Sequence, residues 1–202
     1  MSLNWREIAL ILEELPLVGS SLQQTVQHDF HSMSWNFYHP QAGRWTLYTE
    51  LGTPFSRLHL ASEALSVVQQ GKTAKLQRFI QFLRANVEGS KVLEASQISH
   101  DRLVRLKLDN HGTTFYVYLR FYSGPGANII ITDEQNIILE LLYRRPGRGE
   151  QSGLPLILPQ PKAEEDDRFV IRSRTDSSFN RQIEQEYGNQ SNELTFQELQ
   201  RK

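Results

Sequence analysis

The chain has no cysteine in its 202 residues. Disulfides, thiolate catalysis and cysteine-ligated zinc are thereby excluded, and a metal could be held only by histidine and carboxylates. The six histidines, His28, His31, His39, His59, His100 and His111, form no HExxH-like helical pair. His28 and His31 fall in a stretch that reads as strand, where a three-residue separation sends them to opposite faces. No metal or cofactor is expected. Long apolar runs are missing as well: nothing approaches the roughly 18 apolar residues of a membrane span. The opening "MSLNWREIALILEELP" interrupts its apolar positions with charges, so neither a span nor a signal peptide is expected, and the cytoplasm is the expected location. Excess charge of one sign is lacking too. Lys and Arg number 22 against 23 Asp and Glu, a net charge of −1. Residues 1–160 hold 15 basic against 14 acidic residues and 161–202 hold 7 against 9, so any contact with a polyanion must be a local patch. There is no Ser/His/Asp order, P-loop or phosphate-binding glycine fingerprint; "GPGAN" and "PGRGEQSG" read as turn chemistry.

What is present is periodicity. Ile8, Ile11, Leu12 and Leu15 share one helical face ahead of Pro16 and Gly19, which predicts an amphipathic opening helix. "SSLQQTVQHDFHSMSWNFYHP" then alternates, with Leu22, Val26 and Phe30 on one side, and "RWTLYTEL" and "SRLHLA" continue as short strands separated by Pro40, Gly43, Gly52 and Pro54. Gln69 to Thr73 is a polar connection into a second helix striped by Leu76, Phe79, Ile80 and Leu83 and ended by Gly89. From Lys91 to Tyr143 five strand patterns succeed one another, turning at Asn110–Gly112, at "SGPG" and at Asp133–Gln135. Sequential antiparallel strands with helices set apart predict an α+β fold, a sandwich or meander, over residues 1–160. Trp5, Trp35 and Trp45 are spaced as core residues. "RRPGRGEQSGLPLILPQP" reads as an extended segment lying along the domain, and 161–177 as a solvated acidic linker. Residues 178–202 start with a serine cap and look helical, with few apolar residues to bury, so weak docking is expected.

Five pieces, in order, carry a resemblance: the opening helix with "GSSLQQTVQHD", then "SRLHLA", "FIQFLRANVEGSKVLEASQISHDRLVRLKL", "GANIIITDEQNIIL" and "RRPGRGEQSGLPLILPQP". Together they resemble the N-terminal domain of the NFACT family, which includes the fibronectin-binding protein A group of bacteria and the tail-adding factors of ribosome-associated quality control. The resemblance covers roughly residues 3–160, and "SSFNRQIEQEY" is similar to the start of the family's middle helical region. It implies a fold similar to the N-terminal domain of formamidopyrimidine-DNA glycosylases. It also implies a binding module, not an enzyme, whose partners are the large ribosomal subunit and tRNA, with neither DNA nor a membrane.

In the family, the Asp-Arg pair matching Asp101 and Arg102 is associated with tRNA binding and tail addition. An arginine fork suits phosphate oxygens, and a neighbouring carboxylate can orient it; the blander reading is an exposed ion pair at a strand start, worth little. His100 could add a stacking surface. Arg57 matches a family arginine and Asn128 a family asparagine, the latter equally suited to bridging a turn to the next strand. Arg144, Arg145 and Arg148 form the one compact basic cluster, a phosphate-contacting patch or a solubilising loop. Two positions depart from the family pattern. Asn4 stands where an aspartate is usual, and Leu119, Arg120 and Phe121 stand where a glutamate is expected, which puts tail addition in question. The glycosylases' N-terminal proline and its neighbouring glutamate are absent from "MSLNW", so imine chemistry has no nucleophile. A surface adhesin, or a scaffold docking partners through strand edges, are the alternative readings.

Overall fold

The computed structural model describes residues 1–62, 77–161 and 168–188. Asn4 caps α1 (Trp5–Glu14): its side-chain oxygen accepts from Arg6 N and Glu7 N at 3.0 and 3.1 Å, and the Glu7 carboxylate accepts from Asn4 N at 3.0 Å. This capping box closes the helix start. Ile8, Ile11 and Leu15 are buried as their spacing predicts, with Leu12 packed at the core margin. Strands β1 (Ser21–Gln27), β2 (Ser32–His39), β3 (Gly43–Glu50) and β4 (Arg57–Ala61) come next. Then come α2 (Gln77–Phe82), which widens into a π-turn at Leu83–Val87, and β5 (Lys91–Gln97), β6 (Leu103–Asn110), β7 (Thr113–Arg120), β8 (Asn128–Thr132) and β9 (Ile138–Leu141). All nine strands join one antiparallel sheet in the order β4-β3-β2-β1-β5-β6-β7-β8-β9, which gives the expected α+β meander with flanking helices. Met33, Trp35 and Phe37 from one half share a single buried cluster with Val104, Leu106 and Leu108 from the other. The polar connection at Gln69–Thr73 and the stripe residue Leu76 lie outside the described residues, as do 162–167 and 189–202.

The two halves of the chain repeat one plan. α1 packs on β4 and, through Gln97 Nε2 donating to Trp5 O at 2.7 Å, on the end of β5. α2 packs on β1 and on β9, where Arg78 donates to Leu141 O at 2.9 Å. Each helix thus fills the gap between the last strand of its own half and the first strand of the other. The entries into β1 and β5 match as well. Gly19 and Gly89 hold φ of +88° and +90°, where a side chain would be strained, and each precedes a fully buried serine, Ser20 and Ser90. A bulge comes next, at Gln23 and at Leu93, and each strand ends in glutamine, Gln27 and Gln97. The strands meet at Ser21 and Lys91. Four backbone bonds of 2.7–2.9 Å lock this seam: Gly19 N to Val92 O, Val92 N to Ser20 O, Leu22 N to Ser90 O and Gly89 N to Leu22 O.

Three expectations are corrected. The long alternating stretch after Ser20 is a hairpin, because Asp29 accepts from His31 N and Ser32 N at 2.7 and 2.8 Å and folds the chain back. His28 and His31 therefore sit in or beside a turn, and the bulge at Gln23 shifts the pattern so that Thr25, not Val26, is buried. Residues 168–175, exposed apart from Arg172, are not detached from the domain: Arg172 is tied to Glu7, Glu186 and Tyr187. A third helix, α3 (residues 179–188), is firmly docked, with Phe179, Ile183 and Tyr187 at most 2% exposed. It also closes the open edge of the sheet. Asn180 accepts from Leu60 N at 2.7 Å and Glu184 from Ser62 N at 2.6 Å, so the outward amides at the β4 edge are paired. Among the described residues no helix is long and apolar enough to cross a membrane.

Two groups, the buried His59 and the exposed but well-bonded Glu14, make this arrangement acid-sensitive. Burial holds the His59 imidazole neutral, its pKa lowered from 6.5 to about 3 despite a bond to Leu60 O. Burial opposes ionisation of Glu14, but bonds from Asn180, Phe179 and Ser178 at the start of α3 outweigh it and bring its pKa to about 2. In both cases the unfolded chain takes up the proton at the higher pH, so stability rises with pH across the interval. The His59 contribution is complete above about 6.5 and is lost on descending towards 3; that of Glu14 is complete above 4.5 and is lost towards 2. Urea midpoints should therefore fall progressively below neutrality. Glu14→Gln should flatten the part of the curve below 4.5 and leave the slope above it unchanged; equal slopes for both proteins below 4.5 would separate Glu14 from the acid response.

Candidate functional site

The turn between β5 and β6 is built under strain. Ser99 and His100 both adopt left-handed backbone, with φ of 58° and 47°, a conformation that costs a β-carbon-bearing residue of order 1 kcal/mol or more each. Asp101 N donating to Ile98 O at 3.1 Å and Gln97 Nε2 donating to Asp101 O at 2.9 Å hold it closed. The carboxylate of Asp101 is buried within it, accepting from Arg102 N at 2.8 Å and from Tyr122 Oη at 2.7 Å. Burial, together with the adjacent Asp101 carboxylate, pushes the Tyr122 phenol up, so it stays a hydrogen-bond donor. The Arg102 guanidinium lies 6.0 Å over the Tyr122 ring, and that of Arg120 lies 5.5 Å from the same ring. Asp101 and Arg102 therefore do not pair with each other. The acid fixes the turn, and the Arg102 guanidinium, half exposed, has no ion pair or hydrogen bond among the described residues.

This turn forms one wall of a cleft of about 1340 Å³. The start of α1 supplies a second wall through Asn4 and Trp5, and the extended residues Phe169 to Arg172 a third. Trp5 meets His100 edge-on at 5.2 Å, and the Arg6 guanidinium lies over the indole at 5.1 Å. Trp5 is thus a half-buried cleft residue and not a core one, unlike Trp35 and Trp45. Asn4, where the family usually has aspartate, is occupied as a helix cap, and its amide donates to Val170 O at 2.9 Å, tying the extended wall to α1. The cleft combines a cation without an ionic partner among the described residues and an aromatic edge, a set suited to a planar or anionic ligand.

The other candidate residues lie elsewhere. Arg57 is 7% exposed and is not on the surface shared by Arg102. It pairs with Glu50 at 2.6 Å and sits between the rings of Tyr48 and Tyr187, at 4.9 and 4.7 Å. Asn128 is fully buried with its amide saturated: it donates to Tyr143 O and Glu150 and accepts from Ile129 N and Tyr143 N at 2.9–3.0 Å. Of the basic cluster, Arg144 pairs with Glu140, and Arg145 donates to Ala127 O at 2.6 Å and approaches Glu150 at 3.7 Å. Arg148 alone of the three is exposed with no side-chain partner among the described residues. Leu119 and Phe121 are core, while Arg120, at the position where a glutamate was expected, pairs with Glu150. A buried carboxylate is therefore present at this end of the domain, delivered from the Arg/Gly/Pro segment instead of β7.

Residues 7–197 match the family model described as NFACT N-terminal and middle domains. The chain belongs to the NFACT family. Solved structures give the same fold at low identity. The N-terminal domain of the fibronectin-binding protein PavA from Streptococcus pneumoniae superposes with a TM-score of 0.66 at 18% identity, over 84% of this chain and 65% of that one. The N-terminal part of the fibronectin/fibrinogen-binding protein of Streptococcus suis gives 0.66 at 17% identity, over 80% and 62%. The fibrinogen-binding protein of Staphylococcus aureus gives 0.61 at 19%, over 77% and 57%. This NFACT chain thus spans less than two thirds of the length of the solved chains it matches. No curated protein matches it.

The burial pattern separates structural from presented residues. Asn128→Ala and Arg57→Ala should each cost about 2–4 kcal/mol, since each strands buried partners, whereas Arg102→Ala should stay within about 0.5 kcal/mol of wild type. Urea denaturation of the three variants measures this; a large loss for Arg102→Ala would make that residue structural.

Proposed function

We propose that this NFACT domain is an RNA-binding module that engages the large ribosomal subunit and tRNA during quality control of stalled translation, positioning RNA and performing no chemistry of its own. The observation that carries the reading is the Arg102 guanidinium, which has no ion pair among the described residues and lies over Tyr122, on a turn whose carboxylate is taken up by Arg102 N and Tyr122 Oη, at the wall of the cleft of about 1340 Å³. A cation kept free of the adjacent acid is poised for a phosphate, and Trp5 with His100 offers aromatic surface for an unstacked base. With a net charge of −1 the domain cannot rely on diffuse attraction, which suits recognition at one built site. The site of action is then the cytoplasm.

A second reading comes from the solved relatives, which are titled fibronectin- and fibrinogen-binding proteins. On that reading the same fold presents a protein-binding surface outside the cell.

Full-length protein, wild type and Asp101→Ala/Arg102→Ala, should be sedimented through sucrose gradients with extract from cells in which translation has been stalled. Wild type should travel with the free large subunit and the double variant should remain at the top, while both unfold cooperatively. Wild type staying at the top, together with saturable binding to immobilised fibronectin, would replace the RNA reading with the second one.

A further inference from the structure

The repeated plan of the two halves gives the cleft turn a counterpart. Where β5 ends in Gln97 and turns through His100 and Asp101, β1 ends in Gln27 and turns through His28 and Asp29. The two turns use their aspartates alike, each folding its own turn through backbone amides. The residue after the aspartate differs: Arg102 in one, Phe30 in the other. Phe30 is 51% exposed, yet its turn is held by hydrogen bonds. His31 O accepts from Leu51 N at 3.0 Å, and Phe30 O accepts from Tyr143 Oη at 2.5 Å. The ring belongs to a run of aromatic contacts. His31 meets it edge-on at 5.1 Å, Tyr143 lies against it at 4.8 Å, and Arg145 covers Tyr143 at 5.1 Å. Arg148, exposed and without a side-chain partner among the described residues, shares a tight turn with Arg145, its backbone N donating to Arg145 O at 2.9 Å.

We propose that Phe30 and Arg148 form a second RNA contact on this domain, with Phe30 stacking on one unpaired base and Arg148 holding a neighbouring phosphate; the proposal rests on the RNA-binding reading above. A single exposed phenylalanine is ordinary. This one is different in being held at a turn tip by hydrogen bonds, extended by two further rings and followed, through Tyr143 and Arg145, by the turn that carries Arg148. That combination is what a single-stranded nucleic acid uses, because every base has a π-face and the ring is already ordered before binding. Asp29 beside it disfavours a phosphate directly at the turn, which leaves the base to Phe30 and the phosphate to the arginine side. The notion of a basic patch at Arg144, Arg145 and Arg148 thereby narrows to Arg148.

Fluorescence anisotropy of the full chain with a labelled single-stranded oligouridylate of about 12 nucleotides tests this, with a fully paired RNA hairpin as comparison. Phe30→Ala should weaken single-strand binding roughly tenfold, leave hairpin binding unchanged and keep the salt slope. Arg148→Glu should reduce that slope by about one. Phe30→Trp should restore the affinity, which a merely structural role for the ring would not predict. If Asp101→Ala/Arg102→Ala loses binding while Phe30→Ala behaves as wild type, the second contact is wrong and the RNA reading stands. If Phe30→Ala loses binding and Phe30→Trp does not recover it, the ring is structural and the stacking role falls. If wild type binds neither RNA, both readings fall together.

Discussion

The site depends on one buried carboxylate. Glu7 is 3% exposed and accepts from Asn4 N at the head of α1 and from three nitrogens of Arg172, its backbone N, Nε and Nη2. Arg172 in turn reaches Glu186 and Tyr187 on α3. One acid therefore ties together the helix start that carries Trp5, the extended wall that carries Phe169 and the helix that closes the β4 edge. A carboxylate taken out of water needs that many donors to offset its desolvation, and breaking such a pair generally costs about 3–5 kcal/mol.

The far end of the domain uses the same device. Glu150, 7% exposed, takes Asn128, Arg120 and Arg145, and pins the irregular Arg/Gly/Pro segment onto β8. In both places an element too irregular to satisfy its own backbone is fixed by a buried acid surrounded by guanidinium and amide donors. Regular strands supply the platform; these ionic nodes decide where the non-regular pieces lie.

Where periodicity was intact, the sequence was legible. Ile8, Ile11 and Leu15 marked α1, and Leu103 to Asn110 and Thr113 to Arg120 marked a tight hairpin turning at His111 and Gly112, both at positive φ. Bulges at Gln23 and Leu93 broke the phase of β1 and β5, so Val26 looked inward when Thr25 is. α3 looked too polar to dock because its buried face includes Asn180 and Gln182, whose amides serve backbone groups and would count as surface in any apolar tally. At the site, the adjacency of Asp101 and Arg102 was visible, but the fact that they do not pair was not, since it depends on Tyr122 being 21 positions on. Arg57, Asn128 and Arg145 looked available because a charge or amide in a sequence carries no mark of burial. One signal was there to be read: the Gly-Ser pairs at 19–20 and 89–90, each leading to a glutamine and a His-Asp, announce the repeated plan.

The near-zero net charge then takes on a specific meaning. Arg57, Arg120, Arg145 and Arg172 are matched inside the fold by Glu50, Glu150 and Glu7, so they contribute little field at the surface. Among the described residues Arg102 and Arg148 are without ionic partners; Arg102 lies over the Tyr122 ring, and Arg148 shares a turn with Arg145, whose guanidinium covers Tyr143. On the RNA-binding reading proposed above, two such arginines would make few phosphate contacts, so counterion release would supply only a small share of the binding energy and the salt dependence would be weak. On that reading affinity comes instead from shape and stacking at ordered positions, which is how a protein of near-zero charge can select particular unpaired segments of RNA.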